Sequence, residues 1–183
     1  MNPSVFYVVV AALVGLWGVT VYNRLVRLGS CRDEGWSGIS VQLKRRHDLV
    51  PNLVASAKGL AGHEQELLLS VTQARAAQGS GSPREIAAAE SSLTAALGRF
   101  IAVAEAYPQI KADRAFSDLM GELSRLEEDL QLARRYYNGA VREYNVAVRS
   151  FPSSLVAALT GFRRADFFEL GDAGEAQAPK VSF

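Results

Sequence analysis

From Phe116 to Phe151 the apolar positions fall at Phe116, Leu119, Leu123, Leu126, Leu130, Ala133, Tyr137, Ala140, Tyr144, Ala147 and Phe151, in steps that alternate three and four residues without a miss. That is the period of a heptad seam on one long helix. The opposite side carries Glu122, Arg125, Glu128, Asp129, Arg135, Arg142 and Arg149, the mixed charges of a solvated face. At ~1.5 Å of rise per residue the element is ~54 Å long. Weaker versions of the pattern precede it. One helix runs on from Leu25 through Leu28, Trp36, Ile39 and Leu43, with Gly29, Gly35 and Gly38 as soft points. Pro51 disfavours helix at Val50 and suits the first turn of a new helix, so the chain is expected to break near Leu49. A second helix then carries Leu53, Ala57, Leu60, Ala61, Leu67, Leu68, Val71 and Ala74 inward. After Gly79-Ser80-Gly81-Ser82-Pro83, a third covers roughly Arg84 to Ala106 with Ile86, Leu93, Leu97, Ile101 and Ala104 inward, ending at Tyr107-Pro108.

The N-terminal end follows a different pattern. The first 23 residues carry no charged side chain, and Val5 to Tyr22 is an almost unbroken apolar run followed by Arg24 and Arg27. As a helix it covers roughly 27 Å, close to the ~30 Å hydrocarbon thickness of a bilayer. A cleaved secretory signal is disfavoured, because no Lys or Arg precedes the run and arginines follow it. Leu28-Gly29-Ser30-Cys31 resembles a lipoprotein cleavage site only faintly, with two arginines where that signal should be apolar. With the nearby basic residues all C-terminal to the run, the expected topology is N-terminus outside and the bulk of the chain cytoplasmic.

Together these elements predict an all-α protein: an N-terminal transmembrane helix (1–23), an up-and-down antiparallel four-helix bundle with a short C-terminal helix (24–168), and a flexible tail (169–183). In that bundle the turns around His47 to Asn52 and around Tyr107 to Asp113 meet at the end distal to the membrane. The glycine-serine loop and Phe151 lie on the membrane side.

Charge and candidate chemistry narrow the function classes. Twenty basic against 19 acidic residues leave a net charge of +1, with no basic stripe interleaved with aromatics, which argues against nucleic-acid binding. The single Cys31 has no intrachain partner. His63 and Glu64, with Asp48 and Glu105, invite a metal or acid-base site, but His47 and His63 do not form an HExxH pair. A polar interhelical network that fixes register is the preferred explanation. Ser153 and Ser154 before Leu155-Val156-Ala157-Ala158-Leu159 read as a helix N-cap rather than a nucleophile. Asn138 and Asn145, one heptad apart, read as alignment residues. No catalytic residue, cofactor or metal ligand is assigned.

Tyr22-Asn23-Arg24-Leu25-Val26, Trp36, Val41-Gln42-Leu43-Lys44-Arg45-Arg46, Asp48-Leu49-Val50-Pro51-Asn52-Leu53-Val54, His63-Glu64, Ala74-Arg75, Glu105-Ala106-Tyr107-Pro108, Tyr137-Asn138, Tyr144-Asn145, Phe151-Pro152-Ser153 and Pro179-Lys180-Val181-Ser182-Phe183 resemble, in order and spacing, the LemA family. The resemblance implies a bacterial single-pass membrane protein with a helical-bundle domain, a short N-terminus facing outward and no established enzymatic activity. Members are connected with surface-antigen handling, magnetosome formation and the cell envelope. Gly29-Ser30 departs from the arginine-asparagine often found there, and Gly35 replaces a usual alanine, changes that would loosen the first helix.

Two surfaces are candidates for recognition. At the distal tip, Arg45, Arg46, Asp48, Pro51 and Asn52 would meet Tyr107, Pro108, Lys111 and Asp113, a mix rich in the arginine and tyrosine of binding hot spots. At the membrane end, Leu155, Leu159, Phe162, Arg163, Arg164, Phe167 and Phe168 form a basic, aromatic segment that either lies in the headgroup region or caps the bundle. The expectation is a membrane-anchored, non-enzymatic scaffold or adaptor of the cell envelope, contacting the bilayer and another envelope protein, with self-association compatible. The alternative is a membrane-shaping protein that acts through its bundle and its C-terminal segment.

Overall fold

The computed structural model describes residues 3–57, 64–77 and 81–169, and every regular element in them is helical. These are α1 (Pro3–Ser56), α2 (Gln65–Ala76), α3 (Pro83–Ala104), the single turn α4 (Pro108–Lys111), α5 (Arg114–Arg149) and α6 (Ser153–Thr160). The chain divides into two compact units: Met1–Ile39 with Ala133–Asp166, and Ser40–Leu132 with Phe167–Phe183.

In the first unit α1 and α5 run antiparallel. Gly29 faces the Tyr144 ring, while Gly35 and Trp36 meet Tyr137, the two rings 5.5 Å apart. Arg32 lies over the Tyr144 ring at 4.9 Å, a cation–π contact. Leu25, Tyr144, Ala147, Val148 and Ala157 form the core, with Val21, Leu28, Val156 and Phe162 against it. α6 ends at Gly161 in the left-handed conformation (φ 79°), where a glycine terminates a helix without a Cβ penalty. The predicted C-terminal helix therefore stops at Thr160, and the chain returns along α5 in non-helical form. Asn145 holds that return in both directions, accepting from the Ala165 N–H at 2.8 Å and donating to its carbonyl at 2.9 Å. Tyr137 donates to the Asp166 carbonyl at 2.9 Å. Burial raises the Tyr137 pKa, partly offset by Arg32, and so keeps the phenol a donor.

The second unit is built on Leu49, Val50, Leu53, Ala57, Val71, Leu93, Leu97, Phe100, Ile110, Phe116 and Leu123, drawn from α1 to α5. α3 and α5 are antiparallel: Phe100 near the end of one meets Phe116 near the start of the other at 6.3 Å. α3 begins with a capping box, Ser82 Oγ accepting from Glu85 N–H while Glu85 accepts from Ser82 N–H. Those Ser82 contacts hold the Glu85 carboxyl below its ordinary range.

Three expectations are corrected. The chain does not break near Leu49: α1 continues through Pro51 to Ser56. Proline has no N–H for the carbonyl four residues back, that of His47. Arg75 of α2 supplies the missing donor, its Nε lying 2.8 Å from the His47 carbonyl. Second, with α1 prolonged, α2 starts only at Gln65 and spans 12 residues; Leu60, Ala61, His63, Gly79, Ser80 and the tail from 170 lie outside the described residues. Third, the heptad seam of α5 does not reach Phe151. The helix stops at Arg149 and Phe151 is 81% exposed. A straight helix drifts ~20° per heptad from a 3.5 period, so the buried stripe in its second half moves onto Tyr137, Val141, Tyr144 and Val148.

Candidate functional site

Along α1 the buried positions Leu43, Arg46, Val50 and Leu53 of the second unit again fall in steps of three and four. Arg46 occupies a core position in that series. It is 1% exposed, and its guanidinium reaches Glu90 Oε2 of α3 at 3.2 Å, Thr94 Oγ1 at 2.9 Å and Glu127 Oε1 of α5 at 2.7 Å. Its Nε is buried without a hydrogen-bond partner among the described residues. Glu90 is equally buried and takes His47 Nε2 on its other oxygen at 2.7 Å. Burial raises the Glu127 pKa, and Glu90 raises it further, while Arg46 pulls the other way. One cation shared by two carboxylates ties α1 to α3 and α5, and slipping α1 against α3 would strand a buried charge.

Arg46 therefore does not belong to the exposed patch in which it was expected. It also lies ten residues before the end of α1, ~15 Å along the helix, so the segment from His47 to Asn52 is not a turn. Arg45, Asp48, Pro51 and Asn52 are exposed along that helix. The connection between α3 and α5 is a turn as expected, with Pro108 opening α4, Ile110 buried, Tyr107 half-buried, and Pro108, Lys111 and Asp113 exposed. Lys111 and Glu105 flank a shallow pocket of about 200 Å³ whose other lining is Ile101, Ala104, Phe116, Ser117 and Met120. None of Arg45, Asp48, Pro51 or Asn52 lines it.

The C-terminal candidates separate into two groups. Leu155, Leu159, Arg163, Arg164 and Phe167 are exposed. Phe162 is half-buried against Tyr22 with ring centroids 5.7 Å apart, and Phe168 is fully buried, so those two pack inward. Ser153 is not the side-chain cap of α6. Its hydroxyl donates to the carbonyls of Ala147 and Ser150 and ties α6 to the end of α5.

Glu90, Thr94 and Glu127 were not singled out from the sequence. A signal existed: Ile86, Glu90, Leu93 and Leu97 keep the steps of four and three, which puts an acid on an apolar stripe. That acid matches the arginine in the stripe of α1.

α1 carries an 18-residue apolar window, none of it buried, long enough to cross a membrane. α3 also meets that length and apolarity but is partly buried in its unit. These features define a membrane-associated all-α protein. The LemA family profile matches residues 35–183, and the chain belongs to the LemA family. It is 26% identical over 181 residues to magnetosome protein MamQ 2 of Paramagnetospirillum magneticum, and 24% identical to magnetosome protein MamQ of Magnetospirillum gryphiswaldense. In both comparisons 84% of this chain is covered, and the chain spans 66% of the length of those relatives.

Proposed function

We propose that this protein is a membrane-anchored, non-enzymatic scaffold of the bacterial cell envelope that holds a helical domain beside the bilayer and presents the turn between α3 and α5 to a protein partner. The observation that carries this proposal is the continuity of α1. The exposed apolar stretch and the core-forming residues from Leu25 onward lie on one unbroken helix, Pro3–Ser56. A linker would let the first unit drift, whereas one helix sets that unit's height above the membrane. Val5 to Tyr22 spans the bilayer once, with the N-terminus outside and the remaining chain cytoplasmic, as the arginines that follow favour. The magnetosome proteins it resembles are consistent with service at a membrane-bounded structure.

The partner surface is the turn between α3 and α5, with Pro108 and Lys111 exposed and Lys111 and Glu105 beside a pocket lined by Ile101, Phe116 and Met120. An apolar anchor in such a pocket with charges at its rim matches the anatomy of protein interfaces. The test is in-cell photocrosslinking from Lys111 and Pro108, with Arg163 as the membrane-side comparison. The proposal expects one envelope protein captured from both tip positions, with its capture abolished by Met120→Arg, which blocks the pocket. Lipid adducts at Arg163 with no protein at either tip position would overturn the adaptor role.

A further inference from the structure

α6 is built inside out for a helix of a water-soluble protein. Its buried residue is Ala157, packed with Leu25 of α1, Tyr144, Ala147 and Val148, while Leu155 is 56% and Leu159 88% exposed. Those two leucines are one helical turn apart and share a face. Phe151, just before the helix, is 81% exposed. A surface helix in water puts its large apolar residues inward and its small or polar ones outward. Here Ala157 and the half-buried Val156 lie inside, while two leucines and a phenylalanine are displayed.

The place of this helix identifies what covers those side chains. The core that holds α6 includes Leu25, with Val21 and Leu28 against it, and Phe162 stacks on Tyr22. α6 is thus fastened to α1 at the level where the apolar run ends. Arg149 just before the helix and Arg163 and Arg164 just after it are exposed, as are Arg24 and Arg27 where the apolar run of α1 ends.

We propose that Phe151, Leu155 and Leu159 form an apolar foot that inserts into the headgroup and acyl boundary of the leaflet where α1 emerges, with the neighbouring arginines seated on anionic lipid headgroups. A helix lying in the interface buries its apolar face ~5–10 Å below the headgroups, and such binding adds apolar burial to electrostatic attraction. The foot is a second attachment beside the span. A single helix can rotate and tilt in a bilayer, and the foot removes both freedoms. This inference rests on the reading of Val5 to Tyr22 as a bilayer span.

The test places a spin label at single cysteines in a Cys31→Ser background of the full chain, in nanodiscs of phosphatidylcholine with phosphatidylglycerol. Accessibility to oxygen and to a water-soluble nickel complex reports depth. Leu13→Cys reports the span, Leu159→Cys the foot, and Glu128→Cys the solvated face of α5. The expected result is oxygen-favoured accessibility at Leu13→Cys and Leu159→Cys and nickel-favoured accessibility at Glu128→Cys. In pure phosphatidylcholine, Leu159→Cys is expected to shift toward water while Leu13→Cys does not move. Nickel-favoured accessibility at Leu159→Cys with Leu13→Cys still in lipid would overturn the foot and leave the span standing. Nickel-favoured accessibility at Leu13→Cys would overturn the span, and the foot with it. Protection of Leu159→Cys from both reagents would mean that protein, such as a second copy of this chain, covers the face, and would also overturn the foot. No response to lipid charge would overturn the role of the arginines.

Discussion

Gly35 of α1 and Tyr137 of α5 approach so closely that a Cβ on Gly35 would lie 3.0 Å from the Tyr137 Cα and 3.1 Å from the Tyr136 ring. The Tyr137 contact is with backbone, which cannot swing aside. Gly38, one turn on, has nothing within 4 Å of the same construction. Two glycines on one helix thus have opposite reasons to be there. Gly35→Ala should destabilise the fold by about 1–2 kcal/mol, overpacking outweighing the gain in helix propensity. Gly38→Ala should stabilise it by ~0.5–1 kcal/mol, through the lost freedom of the unfolded chain. Chemical denaturation of the two variants side by side checks both signs, and equal effects would refute the close approach.

Pro51 and Arg75 should be energetically coupled. The His47 carbonyl loses its helical partner to the proline and gains the Arg75 Nε at 2.8 Å. Arg75→Ala leaves that carbonyl wanting a donor and should cost about 1.5–3 kcal/mol, the range of a hydrogen bond that involves a charged group. In a Pro51→Ala background the alanine N–H can restore the helical bond, so the same substitution should cost less by ~1 kcal/mol. A double-mutant cycle on unfolding free energy measures the difference directly, and strict additivity would show that the two residues act independently.

Arg46 makes a sharper demand. Arg46→Met leaves Glu90 buried with its charge uncompensated, which typically costs about 3–5 kcal/mol. Arg46→Met with Glu90→Gln removes the stranded charge, keeps an acceptor for His47 and lets the partly exposed Glu127 turn to water. The double variant should therefore be more stable than Arg46→Met alone. Urea unfolding of both decides this, and a double variant weaker than the single would mean that the charges contribute more than register.

What the sequence revealed and what it concealed follow from the range of the interactions. The helices were legible because their apolar positions repeat locally, and the long α5 was placed within two residues at each end. Pro51 misled because its effect on helix depends on a donor 24 residues away, Arg75, which no local pattern signals. Arg46 misled in another way. Its position in the series Ile39, Leu43, Arg46, Val50 was visible, but a lone arginine is ordinarily a surface residue, and only Glu90 in the corresponding register of α3 makes burial tolerable. In the sequence Gly35 looks like a loosening of α1, whereas its near neighbour is a backbone more than a hundred residues on. The membrane-end segment was recognised by composition, but which of its apolar residues face outward depends on the packing of Ala157 and Phe162.

The buried cluster also predicts how stability responds to pH. Burial raises the pKa of Glu127 above the ordinary carboxylate value, with Glu90 adding to the rise and Arg46 opposing it. Folding therefore favours the protonated form of this side chain. The stability that this preference contributes is complete below the unfolded carboxylate pKa and is lost as pH rises through the raised folded value. Glu127→Gln resembles the protonated form at every pH and so lacks that titration. The unfolding free energy of the native chain minus that of Glu127→Gln should fall as pH rises from the acid side of the carboxylate range toward neutrality, then level off. Groups remote from Glu127 cancel in the difference. A difference that instead grows with pH would mean that the 2.7 Å contact with Arg46 outweighs the desolvation of Glu127 and holds its carboxylate charged.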